Sequence, residues 1–242
     1  MQHLGFTRSA HQPDHLLSTP DTFIRAPFPG LTNATAIIHI SPAHGAAFTQ
    51  YMVEMGASGA LQASGTQRFV YVLEGNVRIG ARELTKSGYA FFPEHSGQQI
   101  EAITPARLTV IEKPYVKAEG IASPEPLFGD ESALPSQFLL DDPWLEVRTL
   151  LPANPTFDFA VITLTFRPGA SLPMTEIHVM EHGLLMLEGS GIYKLNESWY
   201  PVTAGDFIWM APYCPQWFGA LGKTPAKYLL YKDFNRGPLA CK

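Results

Sequence analysis

The sequence predicts an all-β chain built from two tandem copies of one β domain, and three observations carry that expectation. Glycine and proline, 20 and 21 of 242 residues, punctuate the chain at a rate that suits short strands and tight turns. Apolar side chains alternate in short runs, whereas a helical period sustained over a dozen residues is hard to find. Internal repetition is the third: Tyr71-Val72-Leu73-Glu74-Gly75 and Leu185-Met186-Leu187-Glu188-Gly189 lie 114 residues apart in similar surroundings, the mark of one domain present twice.

The elements follow in order. Residues 1–30, with Pro13, Pro20, Pro27 and Pro29, read as an extended arm packed on or between the barrels, with a surface loop as the alternative. Residues 31–116 form the first barrel: Tyr51, Val53 and Met55 share one strand face before Gly56, and Gly88 opens the aromatic strand Tyr89-Ala90-Phe91-Phe92-Pro93. Residues 117–137, rich in Pro, Gly, Ser and acidic side chains, read as the linker. The second barrel, 138–242, repeats the pattern, with Ile162, Leu164 and Phe166 on one face before Arg167-Pro168-Gly169. Gly205 then opens Asp206-Phe207-Ile208-Trp209-Met210-Ala211-Pro212. Gly189-Ser190-Gly191 is a strand turn, because no helical pattern follows it to make a nucleotide loop.

Composition narrows the partners. The formal net charge of −5 leaves no surplus of basic residues for a phosphate backbone, so nucleic acid is not expected. No stretch approaches the roughly 20 apolar residues of a membrane helix, and the N-terminus lacks a basic segment followed by an apolar one. A soluble, cytoplasmic protein is expected. Two cysteines, Cys214 and Cys241, are too few for a disulfide scaffold or a thiolate zinc site, and both are read as reduced thiols. The sequons at Asn33 and Asn196 mean nothing without a secretory signal.

Chemistry concentrates in the second copy. Glu176, His178 and His182 have equal parity, so on an extended strand they face one side and converge inside a small barrel, provided the strand bends near His182. A lone strand histidine is usually a hydrogen-bonded core residue, but a carboxylate buried beside two imidazoles is costly unless a cation compensates. A helix placing His178 and His182 at i and i+4 is the weaker alternative, since Gly169, Pro173 and Gly183 flank the run. The spacing from Gly169 through Glu176, His178 and His182 to Gly189 resembles the first cupin motif, with Glu and His exchanged at the outer positions. Gly205, Pro212 and Gln216 resemble the second, with glutamine where histidine is usual. The fold implied is a bicupin, two tandem jelly-roll barrels, and the ligand set is Glu176, His178, His182 and Gln216. Pro212-Tyr213-Cys214-Pro215 is a departure able to move Gln216 outward. In the first copy the corresponding positions are Gln62, Ser64 and Arg68, which suit a structural barrel; anion binding by Arg68 is the alternative. His95 stands alone and reads as structural.

One carboxylate, two imidazoles and an amide oxygen suit Mn²⁺ or Fe²⁺, with Zn²⁺ also open, and four protein ligands leave two positions of an octahedron. A narrower resemblance follows from Glu176 to Gly183, with Tyr193, Trp199, Gln216 and Tyr228-Leu-Leu-Tyr231-Lys232-Asp233-Phe234. The second barrel, and more loosely the first, is similar to the (S)-ureidoglycine aminohydrolases, bicupins of purine (allantoin) degradation. That resemblance implies Mn²⁺ on Glu176, His178, His182 and Gln216, substrate contacts from Tyr193, Tyr228 and Lys232, a small ureido carboxylate as substrate, and a homo-oligomer. Glu176, Lys232 and Tyr228 are then the catalytic candidates, with Glu176 shuttling a proton between water and the departing amine. Cys214 is not read as a nucleophile, having no histidine beside it in sequence. Two other classes stay open: a cupin Fe²⁺ oxygenase or isomerase acting on another small carboxylate, and a non-catalytic bicupin that binds a ligand.

Overall fold

The computed structural model describes residues 6–152 and 154–236; Cys241 and residues 1–5 of the arm lie outside them. Among the described residues no α-helix occurs, only short 3₁₀ turns at Pro20–Thr22, Pro42–His44 and Glu131–Ala133. Among these residues no helix is long and apolar enough to cross a membrane. The arm supplies β1 (Ala10–His11) and β2 (His15–Ser18). There follow β3 (Leu31–Ile40), β4 (Thr49–Leu61), β5 (Gln67–Glu74), β6 (Val77–Ile79), β7 (Arg82–Leu84), β8 (Gly88–Phe92), β9 (Ile100–Ala102), β10 (Ala106–Lys113) and β11 (Leu127–Asp130). The later strands are β12 (Gln137–Leu139), β13 (Asp142–Thr149), β14 (Phe159–Phe166), β15 (His182–Glu188), β16 (Ser190–Leu195), β17 (Ser198–Thr203), β18 (Phe207–Met210), β19 (Gln216–Leu221) and β20 (Ala226–Asp233).

The chain divides into two compact units. Among the described residues the first comprises 24–134, 150–152 and 154–158, and the second 6–23, 135–149 and 159–236. In the first, a nine-stranded sheet runs β11-β8-β5-β10-β4-β9-β6-β7, with β3 on β4. Tyr51, Val53 and Met55 enter its core beside Val70, Phe92 and Val110. Within the stretch expected as linker, Leu127–Asp130 pairs with β8 and Phe128 meets Phe92 edge to face at 5.6 Å. Two aromatic rings therefore hold part of that segment on the sheet, although its composition reads as a loop.

The second unit has an eight-stranded sheet, β1-β2-β18-β15-β20-β14-β13-β12, and a three-stranded sheet, β17-β16-β19. Leu164 and Phe166 fill its core, with Ile162 packed against them. The arm joins this unit: β2 pairs with β18, and the Arg8 guanidinium donates to Asp206 Oδ1 at 2.8 Å and to the Pro201 carbonyl at 2.9 Å. Asp206 is fully buried, so the guanidinium supplies the countercharge it needs.

The repeat is visible at one glycine in each unit. Gly75 and Gly189 both have positive φ, at 76° and 71°. A Cβ at Gly75 would fall on the Pro105 carbonyl oxygen, and one at Gly189 on that of Pro225. Both positions thus exclude a side chain twice over, by dihedral and by contact.

Candidate metal centre

Two segments of the second unit build the site. The chain from Ser171 to Glu176 is stitched to β19: Leu172 N–H donates to the Phe218 carbonyl at 2.9 Å, and Trp217 Nε1–H to the Leu172 carbonyl at 2.7 Å. Glu176 and Gln216 then exchange both backbone hydrogen bonds, at 2.8 and 2.9 Å. Residues facing each other in such an antiparallel pair present their side chains on the same side. The two most distant members of the expected set are therefore held opposite one another, and the prolines around Cys214 do not displace Gln216, which is buried.

The expected strand from Glu176 to His182 is not continuous. Glu176 sits in an isolated bridge, the backbone bends at Val179 and Met180, and β15 begins only at His182. The bend turns His178 toward its neighbours. His178 Nε2 lies 3.2 Å from Glu176 Oε2, and its ring stands 5.1 Å from that of His182, centroid to centroid. The carbonyl of His178 accepts the Tyr213 N–H at 2.7 Å, and Tyr213 holds this position with a left-handed φ of 65°. The helical alternative is excluded by this geometry.

Strand register brings in the rest. β16 alternates with period two, placing Gly191, Tyr193 and Leu195 inward, and Tyr193 O–H donates to Gln216 Oε1 at 2.9 Å. That oxygen keeps a second lone pair for another partner. On β20, Lys232 lies directly opposite His182 of β15, and Tyr228 opposite Met186. Tyr228 is buried between the rings of Phe166 and Phe218. All seven sequence-predicted site residues thus belong to one unit, and six of them are tied to a second member of the set by a hydrogen bond, ring contact or register pair.

The electrostatics follow from burial. Desolvation, reinforced by His178 and Lys232, pulls the His182 pKa down to about 3, so its imidazole is neutral at pH 7 with a lone pair for a ligand bond. Burial likewise raises the Tyr193 and Tyr228 hydroxyls, with Glu176 adding to both, so they are protonated donors. Lys232 is lowered by burial and held up by the Glu176 carboxylate. A neutral imidazole, a second imidazole beside a carboxylate, and an amide oxygen with a spare lone pair fit a divalent cation that accepts mixed N/O ligands. Sequence reasoning passed over Glu181, which is buried beside His182 and accepts Trp209 Nε1–H at 3.1 Å, and over Tyr213. Neither sits in a periodic pattern; a carboxylate next to a site histidine was the only signal.

The cupin domain family matches residues 162–231. The (S)-ureidoglycine aminohydrolase of Arabidopsis thaliana is 42% identical over 245 residues, covering 97% of this chain and 80% of that protein. The Escherichia coli K12 protein of the same name is 34% identical, over 91% and 88% of the two chains. The chain belongs to the (S)-ureidoglycine aminohydrolase family. The crystal structure of the protein Ylba from E. coli superposes with a TM-score of 0.84 at 29% identity, covering 95% of each chain.

In this member of the ureidoglycine aminohydrolase family, the first unit shows what stands at the same register positions. There Arg68 of β5 lies opposite Glu112 of β10, as His182 lies opposite Lys232. Arg68 donates through Nε to Glu112 at 2.6 Å and through Nη1 to the carbonyl of Gln62 at 2.6 Å. A guanidinium thus occupies the place of an imidazole, and its charge is already matched by Glu112. The alternative of anion binding by Arg68 has no free cation to rest on. Ser64 bonds Thr66 at 3.0 Å within its own turn.

Proposed function

We propose that this chain is a divalent-cation-dependent aminohydrolase that releases ammonia from (S)-ureidoglycine to give (S)-ureidoglycolate, a step of purine degradation, with Mn²⁺ as the working ion. Glu176, His178, His182 and Gln216 hold the cation. The observation that carries the reading is the bridge of Glu176 to Gln216 beside the paired histidines, in a chain whose relatives bear that enzyme's name. When bound, the cation supplies Lewis acidity toward the carboxylate and amine of the substrate.

The protein's own groups do the rest. The Lys232 ammonium, whose charge burial opposes and the Glu176 carboxylate favours, pairs with the substrate carboxylate and fixes its orientation. Glu176 accepts a proton from the incoming water as the C–O bond forms, and returns it to the amine as the C–N bond breaks. Ammonia leaves with the nitrogen, and the carboxylate is regenerated. Tyr228 lends an un-ionised hydroxyl to the substrate, and Tyr193 holds the Gln216 amide while its own oxygen stays free to accept a ureido N–H.

Ammonia release from freshly generated ureidoglycine tests the reading. Chelation is expected to abolish turnover and added Mn²⁺ to restore it. Ammonia release that survives complete chelation, or oxygen consumption with Fe²⁺ in its place, overturns the proposal in favour of a different cupin chemistry.

A further inference from the structure

Away from this centre, Asp14, His15 and Cys214 each offer one ligand atom, and those atoms lie within 4.8 Å of one another. We propose that these three residues form a second cation site, selective for a thiophilic divalent ion such as Zn²⁺, which ties the N-terminal arm to the loop carrying Gln216.

The backbone already brings the three together. His15 pairs with Met210 at the end of β18, Ala211 N–H donates to the Asp14 carbonyl at 2.9 Å, and Cys214 N–H to the Ala211 carbonyl at 3.2 Å. The turn after β18 therefore folds back onto the arm and sets the thiol under Asp14 and His15. A tetrahedral zinc ion needs sulfur at about 2.3 Å and nitrogen or oxygen at about 2.0–2.2 Å, which sets ligand atoms roughly 3.3–3.8 Å apart. The cluster is within about 1 Å of that spacing, a movement that side-chain rotation covers.

The surroundings are those of a cation site. His15 and Cys214 are buried, and Asp14 Oδ2 accepts from Asn196 Nδ2 at 2.8 Å, which orients the carboxylate. His15 Nδ1 contacts Asp14 Oδ1 at 2.8 Å, and its Nε2 contacts the Tyr200 hydroxyl at 2.9 Å. The entering ion replaces one of these hydrogen bonds while the other keeps the ring in place. A cleft of about 480 Å³, lined by Asp14 and His15 with Gln12, Asn196, Glu197 and Ser198, opens beside two of the three residues. On binding, the thiol proton goes to solvent as the sulfur–metal bond forms, with no change of oxidation state.

Position gives the site its consequence. Cys214 lies two residues before Gln216 and next to Tyr213, whose N–H holds the His178 carbonyl. An ion here fixes the loop that presents Gln216.

Cd²⁺ added to the Mn²⁺-loaded full-length protein is the probe, read by the ultraviolet thiolate-to-cadmium charge-transfer band and by Mn²⁺ content. One equivalent of Cd²⁺ develops the band in the wild type and in Cys241→Ser. The band is lost in Cys214→Ser and its titration midpoint moves at least tenfold in His15→Gln, with both variants retaining wild-type circular dichroism and Mn²⁺. No band in the wild type, or a band that survives Cys214→Ser, overturns the proposal. Neither result touches the Glu176 centre, which contains no thiol.

Discussion

At the scale of single residues, Glu176 is asked for two things at once: a ligand bond and a proton. The amide of Gln has an oxygen for the first and no basicity for the second. Glu176→Gln is therefore expected to lower ammonia release by about 10² to 10⁴, the usual contribution of a positioned general base, while metal content falls much less. Parallel loss of metal and turnover, measured by elemental analysis beside the assay, would reduce Glu176 to a ligand. Tyr193→Phe removes the donor on Gln216 Oε1 and leaves the ring packing against Phe218 intact. The expected cost is about 1 kcal/mol of stability, with weaker Mn²⁺ retention as the amide loses its orientation. Unchanged Mn²⁺ affinity in a competition titration would show that the bridge to Glu176 alone positions Gln216.

At the scale of elements, the same β-strand pair was put to two uses. Strands β5 and β10 carry Arg68 opposite Glu112, and β15 and β20 carry His182 opposite Lys232. Both members of the first pair are largely removed from solvent, with side chains 5% and 16% exposed. Arg68→Met strands the carboxylate and is expected to cost about 3–5 kcal/mol, whereas Arg68→Met with Glu112→Gln should recover most of it. Denaturant titration of both variants decides this; equal losses would mean that packing, and not charge, dominates. The 114-residue offset made this equivalence legible in the sequence, since it carries Arg68 onto His182 directly. Alternation located Ile162, Leu164 and Phe166 on the core face for the same reason: period two is a local property of a strand. The need for a bend near His182 was legible, but its place at Val179 and Met180 was not, because the carbonyl of His178 reaches Tyr213, 35 residues away in sequence. Neither was the place of β2, whose four residues find β18 across most of the chain. Short arms have too little pattern of their own, and their partners are set by tertiary contact.

At the scale of the whole molecule, stability depends on pH through groups that folding hides from water. His39, buried in β3 at a break in the register with β4, is held down to about 3 by desolvation. In the unfolded chain the same imidazole titrates near 6.5. Above that value it is neutral in both states and contributes no pH dependence. Between about 6.5 and 3 the unfolded chain takes up a proton that the folded chain refuses, so stability falls as the pH is lowered, by about 1.4 kcal/mol per unit through this window. From pH 6.5 to pH 5 the loss from this one residue is about 2 kcal/mol. His39→Gln removes the titration and keeps a side chain of similar reach. Its absolute stability is not the readout; the slope of unfolding free energy against pH is, because every other titrating group cancels between the two proteins. The variant is expected to be flatter by about one proton across pH 5–6, measured by urea unfolding at fixed metal loading. A slope equal to that of the wild type would mean that the folded chain admits a charged imidazole at position 39, and that the strand pair around the bulge opens far enough to let water reach it.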